Sequence, residues 1–208
     1  MGLYTRTRKR MLKGFLRQQH AKQALQWEKL FGDFDSADYE YFRAANLPNE
    51  SGFYHGEIIK WAGDLDPGEV LFIGENNLTA AHLKTLLHAK AVFTAGLTDT
   101  DYTWNFEQPP PMAEKKFDLI ISQAVLEHLI DPCRHFYDIS TLVKNNGRII
   151  IHTVLPGFRY HRYPIDAVRF FPDWFETAAD RLGLTVLKRR IKAYHMFYMF
   201  GKIAGSGS

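Results

Sequence analysis

Residues 69–79 constrain the fold of this chain more than any other stretch. They begin with an apolar run from Val70 to Ile73, which is typical of a strand buried on both faces of a sheet. Gly74 ends the run, and Thr79 is placed to cap a helix whose leucines recur at helical spacing. A strand, a glycine turn and a helix start bring backbone N–H groups and a positive dipole end to a point where a ligand can bind. The alternative is the first crossover of an α/β domain that holds no ligand.

Strands and helices alternate along the rest of the chain. Further buried strands are predicted at residues 91–95, 102–106, 117–122 and 148–153. Helices are predicted at residues 51–61, 132–144 and 173–182. The second helix is predicted to begin after an Asp131 cap and to end at a left-handed turn at residues 145–147, and the third to end at Gly183. Residues 184–191 and 196–203 read as a terminal antiparallel pair. The sequence therefore predicts an α/β fold, an open doubly wound mostly parallel sheet with a terminal antiparallel strand, and ligands at the carboxyl ends of its strands.

Positive charge is concentrated at the N terminus. Residues 1–30 hold eight lysines and arginines against one glutamate, although the whole chain carries a net charge of only +3. An apolar stripe runs among these cations, formed by Met11, Leu12, Phe15 and Leu16. Residues 1–31 are therefore predicted to form a basic amphipathic arm that lies on an anionic membrane surface or touches nucleic acid. The shortness of the stripe favours the alternative, in which it docks on its own domain or on a second subunit and so makes a homodimer.

The sequence also predicts where the protein resides and how it is divided. There is no run of about 20 apolar residues and no visible secretory signal, and Cys133 is the one cysteine. These features predict a cytoplasmic protein. Peripheral attachment to a membrane through the arm is the alternative. Residues 32–204 are predicted to form one α/β domain, and residues 205–208, Gly-Ser-Gly-Ser, to be a vector-derived remnant.

Three motifs resemble those of class I (Rossmann-like) S-adenosylmethionine-dependent methyltransferases. Residues 117–132, Phe-Asp-Leu-Ile-Ile-Ser-Gln-Ala-Val-Leu-Glu-His-Leu-Ile-Asp-Pro, are similar to the fourth-strand motif, and Leu-Glu-His followed by Asp-Pro is its most specific part. Residues 145–151, Asn-Asn-Gly-Arg-Ile-Ile-Ile, resemble the glycine turn and the fifth strand. Residues 161–170, His-Arg-Tyr-Pro-Ile-Asp-Ala-Val-Arg-Phe, resemble a segment of a bacterial subgroup often found with sugar and polysaccharide genes. The resemblance extends over residues 50–203.

The resemblance implies S-adenosylmethionine as the cofactor. The residues that it places at the cofactor are Gly74, Glu75, Asn76, Asn105, Phe106, Ser122 and Gln123. The pattern departs from the family where Phe72 replaces an acid of the first strand, and where Asn76 and Leu78 replace two glycines. Asn105 stands in for the acid that contacts adenine, and its carbonyl oxygen can accept from an exocyclic amine. The acid that follows the second strand is replaced by residues 95–97, with Asp99 and Asp101 a few residues later.

Glu127, His128 and His161 are the candidate catalytic residues. The side chains of adjacent residues in a helix project about 100° apart. The side chains of Glu127 and His128 can therefore reach the same ligand only if both residues lie near the first turn of a helix. With His161 and Asp166 they would suit general-base work on a hydroxyl group or a divalent metal. Ala124 replaces the first glutamate of the Glu-x-x-Glu-His metal site of some related methyltransferases, and no metal is predicted. The alternative is structural, with Glu127 capping or pairing locally and His128 packed under the sheet.

The loop after the fifth predicted strand is rich in arginine and tyrosine between residues 159 and 163, a composition that suits an anionic or sugar substrate. Asp166 and Arg169 are expected to pair and stiffen this loop. The resulting prediction is a methyltransferase acting on an oxygen of a sugar, a lipid-linked glycan or another small molecule. The alternative is a catalytically inactive domain that serves as a binding or scaffolding protein. An RNA substrate is disfavoured, because the chain beyond the arm is net acidic and shows no basic aromatic platform.

Overall fold

The computed structural model describes residues 50–75, 77–158 and 165–202 of the 208-residue chain, and the structural statements below concern those residues. The predicted N-terminal arm lies outside them. So do Asn76, His161 with the rest of the segment 159–164, and residues 203–208.

Helices and strands alternate through most of the described chain. They are, in order, α1 (Glu50–Ala62), β1 (Glu69–Ile73), α2 (Asn77–Leu86), β2 (Ala91–Gly96), β3 (Tyr102–Thr103), β4 (Phe117–Gln123), a 3-10 turn (Leu126–His128), α3 (Pro132–Leu142), β5 (Val143–Val154), α4 (Pro172–Arg181), β6 (Leu184–Lys192) and β7 (His195–Lys202). None of the helices in this described part has the length and apolar character needed to cross a membrane.

The strands form one seven-stranded sheet in the order β3-β2-β1-β4-β5-β7-β6. The first five strands are parallel, and β7 runs antiparallel to both of its neighbours, β5 and β6. The predicted fold and its inserted antiparallel strand are therefore confirmed. The strand order reverses between β1 and β4, which opens a crevice at the carboxyl ends of these two strands.

Apolar side chains cover both faces of the sheet. Val70, Leu71, Phe72 and Ile73 are each 0 % exposed, which confirms the prediction that β1 is buried on both faces. Leu71 and Ile73 belong to the core beneath α3 and α4, whereas Val70 and Phe72 pack with residues of α1 and α2. Full burial of such a side chain is worth about 1.5–3 kcal/mol, so the central strands hold the crevice in a fixed frame.

Two predicted helix boundaries were wrong. Helix α2 begins at Asn77, so Thr79 lies within the helix and is not its cap. Helix α3 ends at Leu142 and not at residue 144, because Val143 is extended (φ −81°, ψ 137°) and pairs with Phe117 of β4. Strand pairing at this position replaces the last helical turn.

Some other local predictions were confirmed. Asp131 caps α3 by accepting a hydrogen bond from the Arg134 backbone N–H at 3.0 Å. Gly183 takes the predicted left-handed conformation after α4, with φ of 63°. Asn146 is also left-handed, with φ of 66°, but it lies within β5, so the prediction that residues 145–147 stop α3 was wrong. Strand β3 is shorter than predicted, because Trp104 turns inward, is 1 % exposed and donates from Nε1 to the Gln108 carbonyl at 2.8 Å.

Candidate functional site

The turn after β1 packs directly against the end of β4. Gly74 has φ +94°, and a Cβ at this position would lie 2.4 Å from the Gln123 carbonyl oxygen and 2.8 Å from Cγ2 of Val125. Only glycine combines this conformation with this space. The close approach fixes the residue that follows Gly74 beside the last residue of β4, at the reversal of strand order.

Glu75, Gln123 and His55 form a polar cluster at this point. The Nε2 atom of His55 lies 3.0 Å from Oε1 of Glu75, and Nε2 of Gln123 donates a short hydrogen bond to the same oxygen. The two nitrogens are 3.1 Å apart. Since a carboxylate oxygen only accepts, Nε2 of His55 carries a proton. The cluster brings together two predicted cofactor residues and a histidine of α1 that was not predicted.

The carbonyl oxygen of the Gln123 side chain accepts no hydrogen bond within the described part of the chain. Gln123 is 2 % exposed, whereas the side chains of Glu75 and His55 are 16 % and 25 % exposed. Leaving a buried acceptor without a donor costs about 1–3 kcal/mol. An orphaned oxygen beside a carboxylate fits a ligand that brings N–H donors, and the ammonium group of S-adenosylmethionine is such a donor.

The loop after β2 uses its acidic residue internally. The backbone N–H of Thr94 donates to Oδ2 of Asp101 at 2.8 Å, and the backbone N–H of Asp101 donates to Oγ1 of Thr94 at 2.9 Å. Gly96 is the last residue of β2, and a Cβ there would lie 3.1 Å from Cγ2 of Thr100. The Asp101 carboxylate therefore holds this loop against the strand end.

Asn105 and Phe106 lie in the loop after β3. Asn105 is exposed, and its Oδ1 accepts from the Glu107 backbone N–H at 3.1 Å, which orients its amide nitrogen outwards. Phe106 is half-buried, with ring centroids 5.0 Å from Trp104 and 5.1 Å from His135. These contacts give the loop an exposed amide beside a fixed aromatic ring.

Ser122 lies on the opposite face of β4 from Gln123, because successive side chains of a strand alternate. It is 0 % exposed, and its Oγ is 3.4 Å from Nε2 of His135. His135 is also fully buried, and burial lowers its pKa to about 3. The side chain of Ser122 thus packs against α3. A ligand in the crevice can therefore contact only the backbone of Ser122.

Glu127 and His128 share the 3-10 turn after β4. Glu127 is 0 % exposed, its Oε2 accepts from Oγ1 of Thr153 at 2.8 Å, and burial raises its pKa. His128 is half-buried, with Nδ1 2.5 Å from the Ile165 carbonyl oxygen. A carbonyl oxygen only accepts, so Nδ1 carries a proton, and in the neutral ring Nε2 is the nitrogen that accepts one.

The loop that follows β5 packs onto this turn. The Glu127 carbonyl accepts from the backbone N–H groups of Ala167 at 2.8 Å and Val168 at 3.2 Å. Asp166 and Arg169 form an ion pair, with Nη2 of Arg169 2.5 Å from Oδ2 of Asp166, which confirms their predicted pairing. The structure thus joins Glu127, His128 and this loop, while the third catalytic candidate, His161, lies outside the described residues.

A buried histidine pair near the polar cluster was missed by sequence reasoning. Nε2 of His152 lies 2.9 Å from Nδ1 of His195, and the Tyr54 ring stacks on His152 with centroids 4.8 Å apart. Burial lowers the pKa of His152 well below its usual value, and His195 and His55 lower it further. The available signal was a histidine that interrupts the apolar run of β5, directly opposite Gln123 in the sheet register. No group of three or more metal-ligating side chains is arranged to hold an ion within residues 50–75, 77–158 and 165–202.

Comparison with known families gives a match over more than half of the chain. The family described as "Methyltransferase domain" matches residues 40–199. A comparison with curated protein sequences finds no significant match.

Several solved structures share the fold at low sequence identity. The N-methyltransferase NodS from Bradyrhizobium japonicum WM9 is 14 % identical, with TM-score 0.53, over 74 % of this chain and 99 % of NodS. An O-methyltransferase family protein from Burkholderia thailandensis is 13 % identical, with TM-score 0.57, over 90 % of this chain and 71 % of the other. The DhpI–SAH complex is 14 % identical, with TM-score 0.56, over 93 % and 98 %. SAH is S-adenosylhomocysteine, the demethylated form of S-adenosylmethionine.

Proposed function

Because this chain belongs to the methyltransferase domain family, with S-adenosylmethionine as cofactor, we propose that it methylates an oxygen of a sugar, a lipid-linked glycan or another small molecule. The observation that supports the cofactor site most directly is the buried carbonyl oxygen of Gln123, which has no donor in the described part of the chain. It lies beside Glu75, at the reversal of strand order where α/β sheets bind ligands.

The residues proposed for the cofactor fall into two groups. Gly74, Glu75 and Gln123, with the neighbouring Asn76 and the Ser122 backbone, would hold the amino-acid end. Asn105 and Phe106 would hold the adenine, through an exposed amide and a fixed aromatic ring. When bound, S-adenosylmethionine supplies a methyl group activated by a positively charged sulfur.

His128 is the proposed proton acceptor for the hydroxyl group of the substrate. The hydrogen bond from Nδ1 to the Ile165 carbonyl holds the ring and keeps Nε2 as the accepting nitrogen. Glu127 accepts hydrogen bonds through its side chain and its carbonyl, and so fixes the turn on which His128 lies. His161 is the second proposed base. The ion pair of Asp166 with Arg169 stiffens the loop that follows it in the chain.

The proposal of a sugar or glycan acceptor is supported by the resemblance of residues 161–170 to the subgroup found with sugar genes. Tyrosine and arginine between residues 159 and 163 have the chemistry to bind a sugar ring and an anionic group. We further propose that the basic arm of residues 1–31 brings the domain of residues 32–204 to an anionic membrane surface, where a lipid-linked acceptor would lie.

A catalytically inactive binding or scaffolding domain is the second candidate. Three observations favour it: Phe72 stands in place of the family's acid, Gly74 packs against β4, and the Asp101 carboxylate is used within its own loop. An inactive domain would not transfer methyl groups to any acceptor, so a transfer assay separates the two candidates.

The test is incubation with S-adenosylmethionine carrying a radioactive methyl group, together with lipid-linked glycans and nucleotide sugars. Label that resists alkali is expected, because methyl ethers are stable where methyl esters are hydrolysed. The His128→Asn variant should lose transfer while it still binds S-adenosylhomocysteine. Label that appears only on nitrogen would contradict the proposal that the acceptor atom is an oxygen. Full transfer by His128→Asn would contradict the proposal that His128 is the base.

A further inference from the structure

Helix α1 contacts the sheet differently along its two halves. Its second half places Ile58 and Ala62 in the apolar core, where they are 1 % and 0 % exposed. Its first half carries Phe53, Tyr54 and His55, which are half-buried and lie over polar side chains of the sheet. A helix end held by half-buried side chains opens at a lower free-energy cost than a segment of the core. The first half of α1 can therefore leave the sheet while the second half stays in place.

A pair of buried histidines lies beneath the first half of α1. His152 of β5 and His195 of β7 are 1 % and 2 % exposed, and Nε2 of His152 lies 2.9 Å from Nδ1 of His195. The Tyr54 ring covers both, with ring centroids 4.8 Å from His152 and 6.0 Å from His195. The Phe53 ring meets His195 edge to face, at 5.4 Å between centroids. The first half of α1 thus shields both histidines from water.

The contact between these histidines suits two neutral rings. A hydrogen bond between ring nitrogens needs one N–H and one lone pair, which two neutral imidazoles provide. A second proton on His152 would put N–H groups on both of its nitrogens, and Nδ1 is buried without an acceptor in the described part of the chain. Burial lowers the pKa of His152 well below its usual value of 6.5, and the charges of His195 and His55 lower it further. The docked position of α1 therefore excludes this proton.

The groups around His152 offer little compensation for a positive charge. Most of the titratable or charged side chains that face the pair are neutral or basic. They are His195 of β7, His55 and Tyr54 of α1, and Arg190 and Lys192 of β6. The carboxylates on this side have partners of their own, since Glu75 accepts from His55 and Gln123, and Glu57 pairs with Arg190 at 3.1 Å. A charge on His152 would thus have no ion-pair partner among the described residues.

We propose that His152 and His195 form a pH-sensitive latch for the first half of α1. While both rings are neutral, the latch holds this half of the helix against the sheet, and protonation of His152 in acid releases it. The latch needs no ligand and does not depend on methyl transfer. Because His55 lies on the released half and binds Glu75, release also uncovers the crevice at the carboxyl ends of β1 and β4.

The direction and size of the effect follow from proton binding. In the docked state His152 takes up no second proton, whereas in the released state its pKa returns towards 6.5. Well above pH 6.5 neither state takes up the proton, and below it each pH unit favours the released state about tenfold. The released fraction should therefore rise about tenfold between pH 7.5 and pH 5.5.

The test is amide hydrogen exchange of the full chain, followed by NMR at these two pH values, with rates corrected for the pH dependence of exchange in free amides. The amides of residues 54–57 report release of the first half of α1, and those of β1 report global unfolding. The substitutions His152→Gln and His195→Gln each keep a hydrogen-bonding side chain and remove one titrating ring. The controls are His55→Gln, which removes the neighbouring histidine of α1, and His82→Asn at an exposed position.

Residues 54–57 should exchange faster than β1 at both pH values, because their release is local. Their protection should fall about tenfold on acidification in the unaltered chain and in both controls, and should change less than about twofold in His152→Gln. A full fall in both His152→Gln and His195→Gln would overturn the latch. Loss of the fall in His55→Gln would assign the titration to His55 and would overturn it as well. Exchange of residues 54–57 only at the rate of β1 would show that no local release occurs.

A second measurement needs no substitution. The ring ¹⁵N shifts of His152 in the unaltered chain should be those of a neutral imidazole at pH 5.5 for as long as α1 is docked. A charged His152 ring in a chain whose residues 54–57 keep their full protection would show that the docked helix accepts the proton, and this result would overturn the latch.

Discussion

Acidification should destabilise this protein through His135, which lies fully buried beneath the loop after β3. Burial lowers the pKa of this side chain from 6.5 to about 3. Between these values the unfolded chain binds a proton here and the folded chain does not, so stability falls as pH falls. One pKa unit corresponds to about 1.4 kcal/mol, so this histidine alone should cost the fold about 2 kcal/mol between pH 7.5 and pH 5.

The assay is urea unfolding of the intact chain and of His135→Phe at both pH values. Phenylalanine keeps a ring against Trp104 and Phe106, at the positions where the histidine ring lies 5.3 and 5.1 Å from theirs, and it removes the titrating group. The unaltered chain should lose about 2 kcal/mol more than the variant on acidification, whereas substitution of the exposed His82 by asparagine should leave the loss unchanged. Equal losses in the unaltered chain and in His135→Phe would refute the reasoning.

Three further predictions concern other parts of the molecule. Gly74→Val should abolish binding of S-adenosylhomocysteine, measured by calorimetry, and lower stability, since its Cβ would lie 2.4 Å from a backbone oxygen of β4. The Cβ of Gly56→Ala on α1 meets nothing within 4 Å. That variant should raise the free energy of unfolding in urea by up to about 1 kcal/mol. Asp166→Asn should cost about 3 kcal/mol, because Arg169 loses its buried partner, and the added change Arg169→Met should recover part of it in the same unfolding assay. Removal of residues 1–31 should abolish co-sedimentation with anionic vesicles at low salt, where each cation near the surface contributes about 1 kcal/mol; if both forms stay in solution, the membrane proposal is wrong.

Much of the sheet could be predicted because its strands are short apolar runs that end in turn residues. Val70 to Ile73 is the clearest example, since four adjacent apolar residues followed by glycine leave few alternatives to a doubly buried strand. The end of α3 was missed for a physical reason. Residues 143–147 have helix-stop chemistry, but Val143 gains a partner on β4 and joins the sheet early, which a local pattern does not reveal.

The candidate site was predictable only where its residues follow the strands directly. Gly74, Glu75 and Gln123 were predicted from the resemblance, and the structure brings them together. His55 was not predicted, because it is separated from Glu75 by 20 residues and from Gln123 by 68. His152 was missed because one histidine in an apolar strand is more often core than site.

The structure of the intact chain crystallised with S-adenosylhomocysteine would test the central claim most directly. The account predicts that the nucleoside lies at the carboxyl ends of β1 and β4, with its amino group within hydrogen-bond distance of both Glu75 and Gln123. A nucleoside bound elsewhere would contradict the account. So would crystals grown at a saturating concentration of S-adenosylhomocysteine that contain no nucleoside and in which His55 and Gln123 still enclose Glu75.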